Sequence, residues 1–214
     1  ALAHEREDVG HGHTRRLTPL VVRTLDRAGL AARDLAWVAA DLGPGSFTGV
    51  RVGLATAEAL ALAAGAALRG ASSLAALALS SGASGALVVP LVPGGRRDAY
   101  AGFFRADPRG RVTLLSAPVV SALPGLLEAV AEARAALPES WPVRFVGPGV
   151  AREREALERA LPGSTEPAWR LDGLSALDLA AAVRSGGGPA AGLPEPGRPP
   201  VPLYVRSAQA EERV

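Results

Sequence analysis

Apolar positions along the chain change period several times, and each change predicts an element. In "HTRRLTPLVVRTLDRAG", residues 13–29, Leu17, Leu20, Val21, Leu25 and Ala28 share one helical stripe closed by Gly29. Pro19 allows a start at Thr18 with a first-turn proline, or an earlier, kinked start near Thr14, which is favoured. The short apolar run "LAWVAADL", residues 35–42, predicts a buried strand. A glycine loop then leads into a helix over about 49–64 with Thr48 as its N-cap. "ALRGA" predicts a short strand, and "SSLAALALS" a short helix capped by Ser72 or Ser73. This alternation of strand and helix implies an α/β layer with parallel strands. Residues 1–9 alternate weakly and predict the last strand of an opening hairpin.

Beyond the connector "SGASG", residues 81–85, the pattern becomes apolar runs divided by the turn signals "PGGRRD" and "DPRG", an antiparallel meander. A helix capped by Ser121 follows, then the strand "VRFV" running into a glycine turn, the charged helix "AREREALERAL", and a helix "SALDLAAAVR" stopped by three glycines. The Pro/Gly-rich tail carries an apolar island, "VPLYVR", suited to docking on the body. The expected organisation is an α/β lobe over 1–82, a second α/β lobe over 83–188, and a tail over 189–214.

Composition narrows the chemistry. The 214 residues contain 48% hydrophobic and 21% charged positions, as in an ordinary globular protein with a substantial core. Cysteine is absent, which excludes disulfides, thiolate nucleophiles and thiolate metal sites and fits a cytoplasmic setting. Lys, Ile, Asn and Met are also absent, so all 23 basic residues are Arg, the mark of a GC-rich genome. With no Met, the chain is read as beginning inside a longer product. The net charge of +2, without an Arg cluster interleaved with aromatics, gives no sign of direct nucleic-acid binding. No stretch of 18 apolar residues lacks a charge, and no membrane role is expected.

The loop "GPGSFTG", residues 43–49, lacks the Lys-Ser/Thr pair of a P-loop and the third glycine of the dinucleotide fingerprint. Its amides at a helix start could still receive an anion, which makes Gly43, Gly45, Ser46, Phe47, Thr48 and Gly49 candidate anion or nucleotide contacts. A tight turn needing Gly43 and Gly45, with Gly49 for close packing, explains the same residues, and the loop alone leaves both open. The helix that follows is apolar nearly all round, with Arg51 and Glu58 on a narrow polar stripe. It therefore demands cover on more than one side, from a partner or from a larger core. His4, His11 and His13 lack the spacing and companions of a metal site. The serines lack a base for a nucleophilic triad. Asp41 at a strand end and Asp98 after a turn are the best-placed carboxylates, and both are common structural positions. Trp37, Trp141 and Trp169 read as core or rim.

Taken in order, "GHTRRLTPLV", "GPGSFTGVRVGLATAEALA", "SSLAALA", "RRDAYAGFF", "FVGPGV" and "PLYVR" resemble the TsaB (YeaZ) family over nearly the whole chain. The resemblance implies a two-lobed ASKHA fold (actin-like ATPase, ribonuclease H-like) with mixed sheets. It also implies a role in making threonylcarbamoyladenosine in tRNA beside the anticodon. In that role the subunit pairs with its catalytic relative TsaD, with TsaE as a further ATPase partner, or with itself when TsaD is absent. It contacts tRNA only indirectly. Catalytic relatives carry a metal-binding His-x-x-x-His segment after the glycine-loop helix, and here Ser73 and Leu77 stand in those places, neither able to bind iron or zinc. The resemblance thus implies no catalytic residue, metal or cofactor in this subunit, with ATP and metal expected in the partners.

The family's opening strand with its Asp-Thr-Ser-like phosphate motif does not occur in the sequence, so the first strands are expected to be missing and ATP binding poor. The expected partner face comprises Leu17, Val21, Leu54, Ala57 and Ala61, with Arg51 and Glu58 tuning register, and Ala57→Arg is expected to weaken it. The alternatives are an active ASKHA enzyme, either a nucleotide-dependent transferase or a glycoprotease-type metallopeptidase, and a homodimer with a separate binding role.

Overall fold

The computed structural model describes residues 1–7, 13–95, 97–165, 174–184, 200–203 and 205, with the side chains of residues 13 and 14 outside that description. His11, Trp169, the glycine stop at 186–188 and most of the tail, including Tyr204 and Arg206, also lie outside it.

The first helix, α1 (His13–Ala28), runs through Pro19, in agreement with the earlier start. It ends as the sequence predicts. Gly29 takes φ +68°, its N–H donates to the Asp26 carbonyl and the Leu30 N–H to the Leu25 carbonyl, closing a Schellman motif. A short 3-10 turn, Ala32–Asp34, leads to β1 (Trp37–Asp41). Helix α2 (Phe47–Ala64) begins two residues before the predicted start and is capped by Ser46, not Thr48. The Ser46 hydroxyl accepts from the Gly49 N–H at 3.3 Å, while Thr48 already lies inside the helix. Then β2 (Ala67–Ala71) pairs parallel with β1, as predicted, with Asp41 opposite Ala71.

Helix α3 (Ser73–Ser80), capped by Ser72, is small and apolar on every face and is buried from Ser73 to Ala78. The predicted meander follows as β3 (Ala86–Pro93), β4 (Ala99–Ala106) and β5 (Val112–Ser121), with both pairings antiparallel. Ser121 closes β5 rather than capping α4 (Leu123–Ala135), whose N-cap position is Ala122; Pro124 in the first turn sets that start. Strand β6 (Val143–Val146) pairs parallel with β3, and α5 (Val150–Ala160) and α6 (Ala176–Arg184) complete the described elements. The sheet order is β5-β4-β3-β6, beside the separate pair β1-β2.

Three apolar clusters explain the layering. One face of the four-stranded sheet, with Val88, Phe104 and Val146, packs on α3 and α6. The other, with Leu87, Val89, Leu91, Phe103 and Phe145, packs on Leu126 and Val130 of α4 and Leu157 of α5. Strand β3 is therefore buried on both faces, hence its unbroken apolar run. The third cluster joins Leu54 and Ala57 of α2 to Ala40 and Leu42.

Of the strand expected over residues 1–9, residues 8 and 9 lie outside the description and residues 1–7 form no strand; ion pairs hold them along α1: Glu7 with Arg23 at 3.1 Å and Arg16 at 3.4 Å, and Glu5 with Arg27.

Candidate functional site: the glycine loop and the α1–α2 face

Parallel pairing of β1 with β2 brings the end of β1 beside the start of α3. Asp41, opposite Ala71, consequently lies within reach of Ser73, two residues further on. The Ser73 hydroxyl donates to the Asp41 carboxylate at 2.7 and 2.8 Å, and the Gly43 N–H donates to the same carboxylate at 2.9 Å. The Ser73 N–H in turn donates to the Gly43 carbonyl at 2.8 Å. Burial pushes the Asp41 pKa above its ordinary range, and the Ser73 and Gly43 hydrogen bonds oppose that shift without cancelling it.

The loop over residues 43–46 is thus stitched to α3. Gly43 needs to be glycine: its φ is +84°, and a Cβ there would stand 3.3 Å from both the Gly45 nitrogen and Val50 Cγ2. Gly45 and Gly49 are not held in the left-handed region. Of the amides that could receive an anion, those of Gly43 and Gly49 are committed to Asp41 and Ser46. Ser46, Phe47 and Thr48 are exposed, and the Arg51 guanidinium lies 3.8 Å from the centre of the Phe47 ring.

The α2 residues of the expected partner face divide into two sets. Leu54, Ala57 and Ala61 point inward, and the first two pack on β1, so they cannot be the outward contact surface. The small Ala57 allows α2 to approach its own sheet, and Leu54 fills the space beside it. Arg51, Ala55, Glu58, Ala59 and Leu62 point outward and are exposed. Leu62 is 86% exposed, Phe47 46%, and Val22 on α1 51%. By length and composition α2 could cross a membrane. It carries Arg51 and Glu58, however, and packs one stripe on β1, as a layer helix does.

Leu17 and Val21 are half-buried. They line a cleft of about 380 Å³ between α1, α2 and β1, shared with Val38, Asp41, Gly53 and Leu60. An adjoining groove of about 330 Å³ runs between Leu17 and Leu20 on α1 and Val52 and Gly53 on α2.

Asp98 belongs to the β3–β4 turn, where its carbonyl accepts from the Gly94 N–H and the Arg152 guanidinium. Trp37, near Arg69, and Trp141, beside Gly85, are half-buried rim residues. Sequence reasoning missed Ser73 as the partner of Asp41, and, although it expected the island carrying Leu203 to dock on the body, it did not identify the contact in which the Leu203 N–H donates to the Leu42 carbonyl at 2.7 Å. Only the strand register could have signalled the first; the second had a hint in the apolar island of the tail.

The family model described as TsaD, tRNA N6-adenosine threonylcarbamoyltransferase, matches residues 7–136, more than half of the chain. The tRNA threonylcarbamoyladenosine biosynthesis protein TsaB of Escherichia coli K12 is 44% identical over 62 residues, 29% of this chain and 27% of that protein. A tRNA N6-adenosine threonylcarbamoyltransferase of Erythrobacter litoralis is 40% identical over 75 residues, 35% of this chain and 22% of its own length. These matches span about a quarter of the length of the curated relatives. A Pseudomonas aeruginosa crystal structure, described as an uncharacterized protein with similarity to peptidase YEAZ, superposes with a TM-score of 0.68 at 23% identity. It covers 94% of this chain and 87% of its own, and it establishes the ASKHA-like α/β fold with mixed sheets. The chain belongs to the TsaD family of tRNA threonylcarbamoyladenosine biosynthesis, and its likeness within that family runs to the TsaB/YeaZ proteins.

Proposed function

We propose that this chain is a noncatalytic scaffold and activator that pairs through α1 and α2 with a TsaD protein, or with a second copy of itself when TsaD is absent. Its setting is the cytoplasmic threonylcarbamoyl modification of tRNA adenosine, with TsaE as a further partner and tRNA contacted only indirectly. The observation that carries the reading is the outward face of α2. Leu62, Phe47 and neighbouring alanines stay exposed there although the inner stripe already packs on β1. An apolar helix face left open in one chain is cover for another.

The buried positions Ser73 and Leu77 support the noncatalytic part. The Ser73 hydroxyl is engaged by Asp41, and Leu77 lies close enough to Gly147 that a Cβ there would meet its Cδ1 at 2.9 Å. Neither offers an imidazole to a metal. Arg51 and Glu58, at the outer edge of the same face, would set register and partner choice more than affinity.

Mass measurement by light scattering, on the protein alone and mixed with TsaD, tests the pairing. A dimer alone that gives way to a one-to-one complex with TsaD is expected. A strict monomer indifferent to TsaD contradicts the proposal.

A further inference from the structure

Residues 200–203 are far along the chain from the glycine loop and yet meet it. The Leu203 N–H donates to the Leu42 carbonyl at 2.7 Å, and the Leu203 carbonyl stands 3.6 Å from where a Cβ on Gly43 would be. Pro200 is buried and Pro202, Leu203 and Val205 are half-buried, so this segment is seated on the body. The loop is also held by Asp41 and Ser73. Two segments distant in sequence thus pin it.

Leu42, Gly43 and Pro44 are themselves buried. If residue 203 withdraws, the Leu42 carbonyl loses its donor in a place poor in water, which is costly for a backbone acceptor. Opening the loop toward solvent relieves that cost. Such opening shifts Ser46, the cap of α2, and with it the first turn that presents Phe47 and Arg51.

We infer that residues 200–203 act as a strap. Docked, they order the loop over 43–46 and the first turn of α2; released, they let both open, so the tail sets the shape of the α1–α2 face. Only this last step rests on the partner-face reading, since the ordering of the loop is measurable on the protein alone.

Hydrogen exchange of the full chain, compared among wild type, Leu203→Pro and Leu203→Ala, separates the hydrogen bond from the side chain. Proline removes the N–H and keeps apolar bulk, whereas alanine keeps the N–H. Amides across residues 42–50 should exchange at least about fivefold faster in Leu203→Pro and close to wild type in Leu203→Ala, with β3 and β4 unchanged in both. Unaltered exchange over 42–50 in Leu203→Pro overturns the strap. Acceleration spread equally over β3 and β4 overturns it too, because residue 203 would then contribute only general stability. Self-association of the same variants reads the last step. Weaker association in Leu203→Pro supports the coupling. Faster loop exchange with unchanged association refutes it, without touching the partner-face reading, which substitution of Leu62 tests separately.

Discussion

Leu62→Arg is the sharpest probe of the α2 face, because the residue is 86% exposed and touches little of its own chain. Substitution at such a position changes fold stability by no more than about 0.5 kcal/mol, or roughly 2 °C in thermal midpoint for a chain of this size. In a complex that covers α2, the same leucine contributes about 2 kcal/mol of apolar burial, and arginine removes it while adding a charge to desolvate. Loss of that contribution corresponds to about thirtyfold weaker association. Ala57→Arg, which the sequence alone suggests as the test, is unsuitable. Ala57 is 8% exposed and packs on Ala40 and Leu42, so arginine there would overpack the core by about 3 kcal/mol or more. Any lost pairing would then report unfolding. Sedimentation velocity over a concentration series, paired with thermal scans, separates the two cases. Leu62→Arg with an unchanged midpoint and association within twofold of wild type would refute the reasoning.

Three further outcomes follow from the packing. Because burial raises the Asp41 pKa, its ionisation opposes folding: the stability it contributes is present below its ordinary value of 3.8 and is lost as pH rises through the higher folded value. Urea midpoints measured against pH should therefore fall over that acidic window in wild type relative to Asp41→Asn, and parallel curves would contradict this. Gly147 has φ +90°, and a Cβ there would stand 2.8 Å from the Leu91 carbonyl oxygen, so Gly147→Ala should cost about 2 kcal/mol or more by chemical denaturation. Ser72→Ala removes the hydroxyl that accepts from the Ala75 N–H and caps buried α3, and should lower stability by about 1 kcal/mol in the same assay.

Elements with strong local signals were legible in the sequence. The stripe of α1, its glycine stop, the apolar runs of β1 and β3 and the Ser72 cap each depend on residues within a few positions of one another. The start of α2 was misread because Ser46 and Thr48 can both cap a helix, Ser somewhat better, and the backbone geometry decides for Ser46. The weak alternation over residues 1–9 makes no strand in its described part, residues 1–7, where Glu5 and Glu7 meet the arginines of α1. The inward and outward sides of α2 could not be told apart by periodicity, because Leu54, Ala57 and Ala61 differ little in character from Ala55, Ala59 and Leu62. The Asp41–Ser73 and Leu42–Leu203 contacts depend on chain reversals over tens to more than a hundred residues; local patterning marked the tail island as apolar but carries no record of which residues it meets.

The central claim, that this chain acts by pairing and not by catalysis, is tested most directly by a reconstituted tRNA modification assay. TsaD, TsaE, tRNA and preformed threonylcarbamoyl-adenylate are combined with and without this protein, and modified adenosine is measured. The account predicts product only when TsaD and this chain are both present, with Leu62→Arg strongly impaired. Product formed by this chain without TsaD, or full product from TsaD and TsaE alone, would contradict it.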